Sequence, residues 1–279
     1  MNPLQKRNGG ILLKEINILV PSKDRPAQLD LLLRSMEKHF CTAPYTGKPT
    51  IIFKATSGIF YDGYTLVGER NPGCKWIGER FNQNTYKDIL IGAIDPTKEL
   101  TVLFVDDNIF INKFDINNSN FQKFMTDPNG ICFSLRLNPK ITYSYTCNNS
   151  FPPMEKTSWI WVDQPFEYGY PMSFDGHIYR TEELLDAVSQ IDFDGPPMFE
   201  SELAKRPIPK SVLWCDEISY ITNVANNRVQ KTFPNRHGED NVIDLCNRYL
   251  MGERIRLEPF EGMSPTSCHI ETPFQWEVA

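Results

Sequence analysis

Two carboxylates stand side by side where a strand should end. In LTVLFVDDNIFI, Leu100 to Ile111, an apolar and β-branched run of the kind that forms a buried strand leads straight into Asp106, Asp107 and Asn108, then turns apolar again. Neighbouring ionised carboxylates repel, and keeping both charged in a poorly solvated corner is costly unless a cation neutralises them. Hard divalent ions such as Mg²⁺ or Mn²⁺ take oxygen ligands, usually one or two carboxylates together with water and substrate phosphates. A metal bridging the protein to a diphosphate is one chemistry this triplet serves. A polar turn, which Asp and Asn favour after strands, is the other.

Other groups with chemical potential lie far from this triplet in the chain. Upstream, Pro21-Ser22-Lys23-Asp24-Arg25-Pro26 offers a hydroxyl and two cations to a base edge or a phosphate. Downstream, Asp175-Gly176-His177 follows an aromatic stretch, a setting in which ring faces take the apolar side of a sugar while Asp and His bond its hydroxyls. The segment Asn227 to Gly238 gathers Arg228, Lys231, Arg236 and His237, which suits either a solvated loop or one that closes over a charged ligand. His269 follows a Gly-, Pro- and Ser-rich stretch near the C-terminus.

The elements that must position these groups are legible in outline. Ile16 to Val20 predicts a strand, PSKDRP a loop, and Leu29, Leu32, Leu33 and Met36 a helix over Gln28 to Phe40. Thr50 to Ala55 predicts a second strand ending in Thr56 and Ser57, Asn82 to Ala93 a helix closed by Asp95-Pro96, and Leu100 onward a third strand. Strands alternating with helices imply a mainly parallel sheet, with ligands beyond the carboxyl ends of the strands. Past Phe121 the pattern is less regular. Strands are expected at Ile131 to Leu137 and Ile141 to Tyr145, and helices over Thr181 to Val188 with Thr181 as N-cap, from near Glu200, and over Asp240 to Met251.

Composition narrows the field. The 279 residues carry a formal net charge of −6, which sets the protein's own field against a polynucleotide partner. Seven scattered cysteines without a CxxC pair fit reduced thiols and a cytoplasmic setting better than a disulfide framework. The N-terminal apolar runs are too short and interrupted for a signal h-region, and no stretch is long enough to span a bilayer, so a membrane is expected to be touched only through a partner or a lipid-linked substrate.

In order and spacing, VPSKDRPAQLDLLLRSM, VLFVDDNIF, GYPMSFDGHIYRTEELL and the late HIE resemble the GT-A fold glycosyltransferases that use nucleotide sugars. The resemblance spans nearly the whole chain. It implies a single α/β domain with a Rossmann-like, mainly parallel sheet flanked by helices: residues 14–120 would bind the donor, and an irregular part, 121–279, the acceptor. It implies transfer of a monosaccharide from a UDP-, GDP- or dTDP-sugar to a hydroxyl of a glycan or glycoconjugate, assisted by a divalent metal and with inversion; the alternatives are a glycan-binding scaffold of the same fold without turnover, or a sugar nucleotidylyltransferase. The latter would need a GxGTR-type loop, and VPSKDRP is not one. Under the resemblance, Asp106 and Asp107, joined by His269, would hold Mn²⁺ or Mg²⁺. Pro21, Ser22, Lys23, Arg25, Thr56 and Ser57, with Asp106, Asn108, His177 and Arg236, would contact the donor. Glu200 would be the base of an inverting displacement, with Glu202 next in line and Asp175 as the alternative.

Overall fold

The computed structural model describes residues 14–41, 45–79, 85–206 and 208–279, so the N-terminal stretch and the expected helix start at Asn82 lie outside the described residues. Chain order gives β1 (Lys14–Lys23), α1 (Pro26–His39), β2 (Pro49–Lys54), α2 (Gly58–Arg70), β3 (Lys75–Gly78), α3 (Tyr86–Ala93), β4 (Leu100–Leu103), β5 (Asn108–Phe110), α4 (Ser119–Thr126) and β6 (Gly130–Ser134). Then follow β7 (Ser158–Ile160), β8 (His177–Arg180), α5 (Thr181–Ser189), α6 (Pro196–Ala204), β9 (Val212–Trp214), β10 (Ile221–Val224), α7 (Val242–Leu250) and β11 (His269–Ile270).

Across the central sheet the order is β7, β9, β6, β8, β4, β1, β2, β3, with the short strand Tyr45–Thr46 also pairing with β1. β3, β2, β1 and β4 run parallel, β8 is antiparallel to both of its neighbours, and β7 is antiparallel at the edge. The sheet therefore draws strands from both sides of residue 120. This is the mainly parallel, helix-flanked α/β architecture expected from the sequence.

β1 is central and buried on both faces, which its apolar run anticipates. Ile16, Ile18 and Val20 face a core shared with Leu29 and Leu32 of α1 and with Tyr64 and Val67 of α2. Leu19 faces the opposite core, shared with Leu90 of α3, Leu184 of α5 and Phe199 of α6. The period of two in a strand thus assigns alternate residues to two layers of helices. Each such fully buried aliphatic or aromatic side chain stabilises the fold by roughly 1.5–3 kcal/mol.

The structure corrects several boundaries. Pro21, Ser22 and Lys23 continue β1 rather than forming a loop, because β2 pairs with them through Ile52, Phe53 and Lys54. Thr181 is the first residue of α5 and Arg180 its N-cap; the Thr181 hydroxyl meets Thr101 Oγ1 at 2.9 Å instead. α6 begins at Pro196, so Glu200 lies in mid-helix. Of Ile141 to Tyr145 only Tyr143–Ser144 is strand. α2 carries a weak helical signal: its sequence GIFYDGYTLVGER holds three glycines, and a Cβ on Gly63 would fall 2.5 Å from Pro26 Cγ, so the glycine is what lets α1 and α2 approach.

Candidate active site

β1, β2 and β4 end together, and the groups just beyond them form one buried knot. β1 passes into Asp24, whose φ of 55° is left-handed. Thr56 stabilises that turn by donating from its backbone N–H to Asp24 Oδ1 at 2.8 Å and from its hydroxyl to Oδ2 at 2.9 Å. The turn aims Arg25 inward. Its NH1 lies 3.0 Å from Asp106 Oδ1 and 2.6 Å from Asp107 Oδ2, while Nε donates to Asn227 Oδ1 at 2.7 Å and NH2 to the Asn227 carbonyl at 2.5 Å. Arg25, Asp106 and Asp107 are only 7%, 4% and 9% exposed.

The remaining carboxylate oxygens are also engaged. Ser22 Oγ donates to Asp106 Oδ2 at 2.8 Å, as does the Lys23 backbone N–H at 3.1 Å, and Asn223 Nδ2 donates to Asp107 Oδ1 at 2.8 Å. Burial lifts Asp106 to about 6 against the opposing pull of Arg25, with Asp107 adding to the rise. Tyr64, buried beneath, bonds Ser22 Oγ at 2.7 Å and accepts the Arg25 backbone N–H at 3.1 Å.

A second cluster sits against a small three-stranded sheet in which β10 pairs with β5 on one side and β11 on the other, setting Asn108, Asn223 and His269 in register. Asn108 donates to Asp175 through its side-chain amide, and its Oδ1 accepts the Val105 N–H at 3.0 Å, so it secures the turn after β4 rather than reaching outward. Asp175 also pairs with Arg136 and lies 3.3 Å from His269 Nε2. Burial alone would raise Asp175; Arg136, and after it His269 and Asn108, outweigh burial and hold it well below the carboxylate range. Enclosed and paired in this way, Asp175 is placed to orient its neighbours rather than to accept a proton.

Glu200 is arranged differently. Its Oε1 accepts from Ser173 Oγ at 2.9 Å and from the Phe174 N–H at 2.8 Å, and Tyr170 OH lies 3.4 Å from Oε2. Burial raises its pKa despite these bonds and Arg136. Glu202, two residues on and thus on the far side of the helix, pairs with Lys205 at 2.6 Å.

The structure does not bring every expected residue together. His177 points into the core, fully buried: Nδ1–H donates to the Pro171 carbonyl at 3.0 Å, and burial, with Arg136, lowers it to about 3. It is a neutral core histidine and not a ligand contact. Ser57 and Thr56 are exposed at the start of α2, and Lys23 Nζ donates to the Val229 carbonyl at 3.1 Å. Arg236 stacks over Tyr145 at 4.3 Å and donates to Tyr143 OH at 2.9 Å. With Glu239, Asp240, His269 and Glu271, these residues line a cavity of about 550 Å³. Sequence reasoning missed Asn223, Asn227 and Arg136; the Asn226-Asn227 pair after a buried strand was the available signal, being the same kind of polar strand end as Asp106-Asp107.

Whether Mn²⁺ or Mg²⁺ fits depends on these oxygens. All four oxygens of Asp106 and Asp107 already accept donors, a guanidinium lies between the two carboxylates, and His269 turns Nε2 to Asp175. No group of three His, Cys, Asp or Glu among the described residues is placed to hold an ion. The side chains as arranged do not fit a resident divalent ion.

A charged cluster beyond the carboxyl ends of parallel strands lies where nucleotide-binding α/β folds place their ligands. The chain is 26% identical over 259 aligned residues to the bifunctional glycosyltransferase pgtA of Dictyostelium discoideum, an alignment covering 79% of this chain and 33% of that protein. It spans about a third of the relative it matches. The glycosyltransferase resemblance of the motifs is thus matched by a curated relative of that class. No family profile matches the chain. Similar solved structures include S. aureus TarS, at 13% identity and a TM-score of 0.48, covering 76% of this chain and 37% of that one. Another is the mannosyltransferase PcManGT from Pyrobaculum calidifontis in complex with GDP-Man and Mn²⁺, at 10% identity and a TM-score of 0.40, covering 73% of this chain and 56% of that one.

Proposed function

We propose that the chain is a glycosyltransferase that moves a monosaccharide from a UDP-, GDP- or dTDP-sugar to a hydroxyl of a glycan or glycoconjugate. The observation that carries this reading is the meeting of Ser22 to Arg25 with Asp106 and Asp107, eighty residues apart in sequence, in one knot at the carboxyl edge of the sheet. In this reading the diphosphate lies against Lys23 and Arg25, whose charges offset the negative charge that grows on the leaving group. No step runs through a divalent ion.

Glu200 is the base. The acceptor oxygen attacks the anomeric carbon, its proton passes to the Glu200 carboxylate, and the bond to the diphosphate breaks with its electron pair leaving on the nucleotide, which inverts the configuration. The raised pKa of Glu200 makes it a stronger base than an ordinary glutamate. The cavity beside His269 supplies the acceptor side: the partly exposed Tyr143 offers a ring, and Glu239, Asp240 and Glu271 offer hydroxyl acceptors. No helix among the described residues is long and apolar enough to cross a membrane. The thiols of Cys74, Cys132, Cys147, Cys215, Cys246 and Cys268 are free, as a reducing, cytoplasmic site of action would keep them.

The test is incubation with a panel of UDP-, GDP- and dTDP-sugars, following release of the nucleoside diphosphate. Release from one member, accelerated by a glycan acceptor, is expected. Absence of release and of thermal stabilisation by every member would overturn the reading.

A further inference from the structure

The acid pair that suggested a metal site already holds a cation. We propose that donor binding in this protein is independent of divalent metal, and that Asp106 and Asp107 serve to pin the Arg25 guanidinium at the diphosphate position. The inference rests on the functional reading above and goes beyond it.

Three features carry it. First, Arg25 spans both carboxylates with one nitrogen and is held from behind by the side chain and carbonyl of Asn227, so all three of its nitrogens are bonded in a fixed fork. A guanidinium keeps its charge at any working pH, and displacing it would leave two buried carboxylates and break two bonds to Asn227. Second, Lys23 and Arg25 set two cations beside the carboxylates of Asp106 and Asp107, while the remaining acid of the turn, Asp24, is tied to Thr56 by two hydrogen bonds. Third, Asn227 keeps a buried Nδ2 without a hydrogen-bond partner beside Arg25. Because Oδ1 accepts from Arg25 Nε, the amide orientation is set by a donor that cannot reverse its role, and the free group is an N–H₂ donor. A buried, unanswered donor next to two cations is what an anion's oxygen would satisfy. The acidic strand end thus has a reason that needs no metal: it is the seat for an arginine that arrives from a turn eighty residues earlier.

The experiment titrates UDP, GDP and dTDP into the full chain by calorimetry, once in EDTA and once in Mn²⁺, and titrates Mn²⁺ alone with its paramagnetic resonance signal as readout. Expected is one nucleotide binding with the same affinity in both buffers, and no Mn²⁺ taken up that Asp107→Asn abolishes. Because Arg25→Gln strands two buried carboxylates and can unfold the chain, the arginine is tested in Arg25→Gln/Asp106→Asn/Asp107→Asn, whose knot is neutral. With folding checked by circular dichroism, this variant should bind the nucleotide about tenfold or more weakly, as expected for lost charge-assisted bonds. Nucleotide binding that requires Mn²⁺, or Mn²⁺ uptake lost in Asp107→Asn, would overturn the inference and leave the glycosyltransferase reading in place. Unchanged affinity in the neutral-knot variant would overturn it as well. No binding of any nucleotide in either buffer would overturn the reading itself, and the inference with it.

Discussion

At Glu200 and His177 the same force, burial, has opposite consequences. Burial raises the Glu200 carboxyl, so the acid limb of the pH–rate profile should fall above the range of an ordinary glutamate, with activity lost as pH drops through that raised value. Glu200→Gln should lower kcat by about 10²–10⁴-fold and leave nucleotide affinity intact, which steady-state kinetics beside calorimetry will read. His177 is lowered from 6.5 to about 3, so between those values the unfolded chain binds a proton that the folded chain refuses. Its contribution to stability is therefore complete above pH 6.5 and is lost as pH falls through that window. His177→Gln should flatten part of this loss in urea melts taken from pH 7 to pH 5. Little of this was legible in advance. Asp-Gly-His after an aromatic stretch reads as a sugar-recognition site, yet from His177 the chain alternates into a central strand, and His177 shares Tyr179's face of it, their side chains 3.3 Å apart. That alternation was the missed signal. Arg25 was recognised as a cation at the site, but its partner Asn227 lies 202 residues away, a pairing that only the fold creates.

Among the elements, the turn between Asp175 and β8 is under the tightest constraint. Gly176 has a φ of 73°, and a Cβ there would fall 1.9 Å from Ile221 Cδ1, on a side chain buried in β10. Gly176→Ala should therefore strain the backbone and push β10 away from β5, loosening Asn223 from Asp107 as well as Asp175 from Arg136. A marked loss of stability with weakened nucleotide binding is expected, measured by thermal melting with and without nucleotide; a wild-type melt would show that the turn has slack. Elements with strong apolar signals were readable before the structure: the runs of β1 and β4, and the leucine spacing of α1. α2 and α4 were not, because glycines interrupt the first and the second is only eight residues long, anchored by Phe121 and Phe124.

Across the whole molecule, one sheet draws strands from both sides of residue 120, so a core lesion far from the Arg25 knot should be felt there. Phe133 lies among Phe114, Phe121 and Phe124, each within 6.2 Å ring to ring. Phe133→Ala should cost about 3–5 kcal/mol in urea denaturation, near the size of a whole domain's margin. The helix-flanked sheet was foreseeable because strand and helix periods alternate along the first half; the three-stranded sheet of β5, β10 and β11 was not, since its β5–β10 pair joins segments more than a hundred residues apart. The central claim is that the knot of Arg25, Asp106 and Asp107 is where the sugar nucleotide's diphosphate binds. A crystal structure with the nucleoside diphosphate bound tests it most directly. Phosphate oxygens within hydrogen-bond distance of Arg25, Lys23 or Asn227 are predicted; a nucleotide seated away from the ends of β1 and β4, with the knot untouched, would contradict the account.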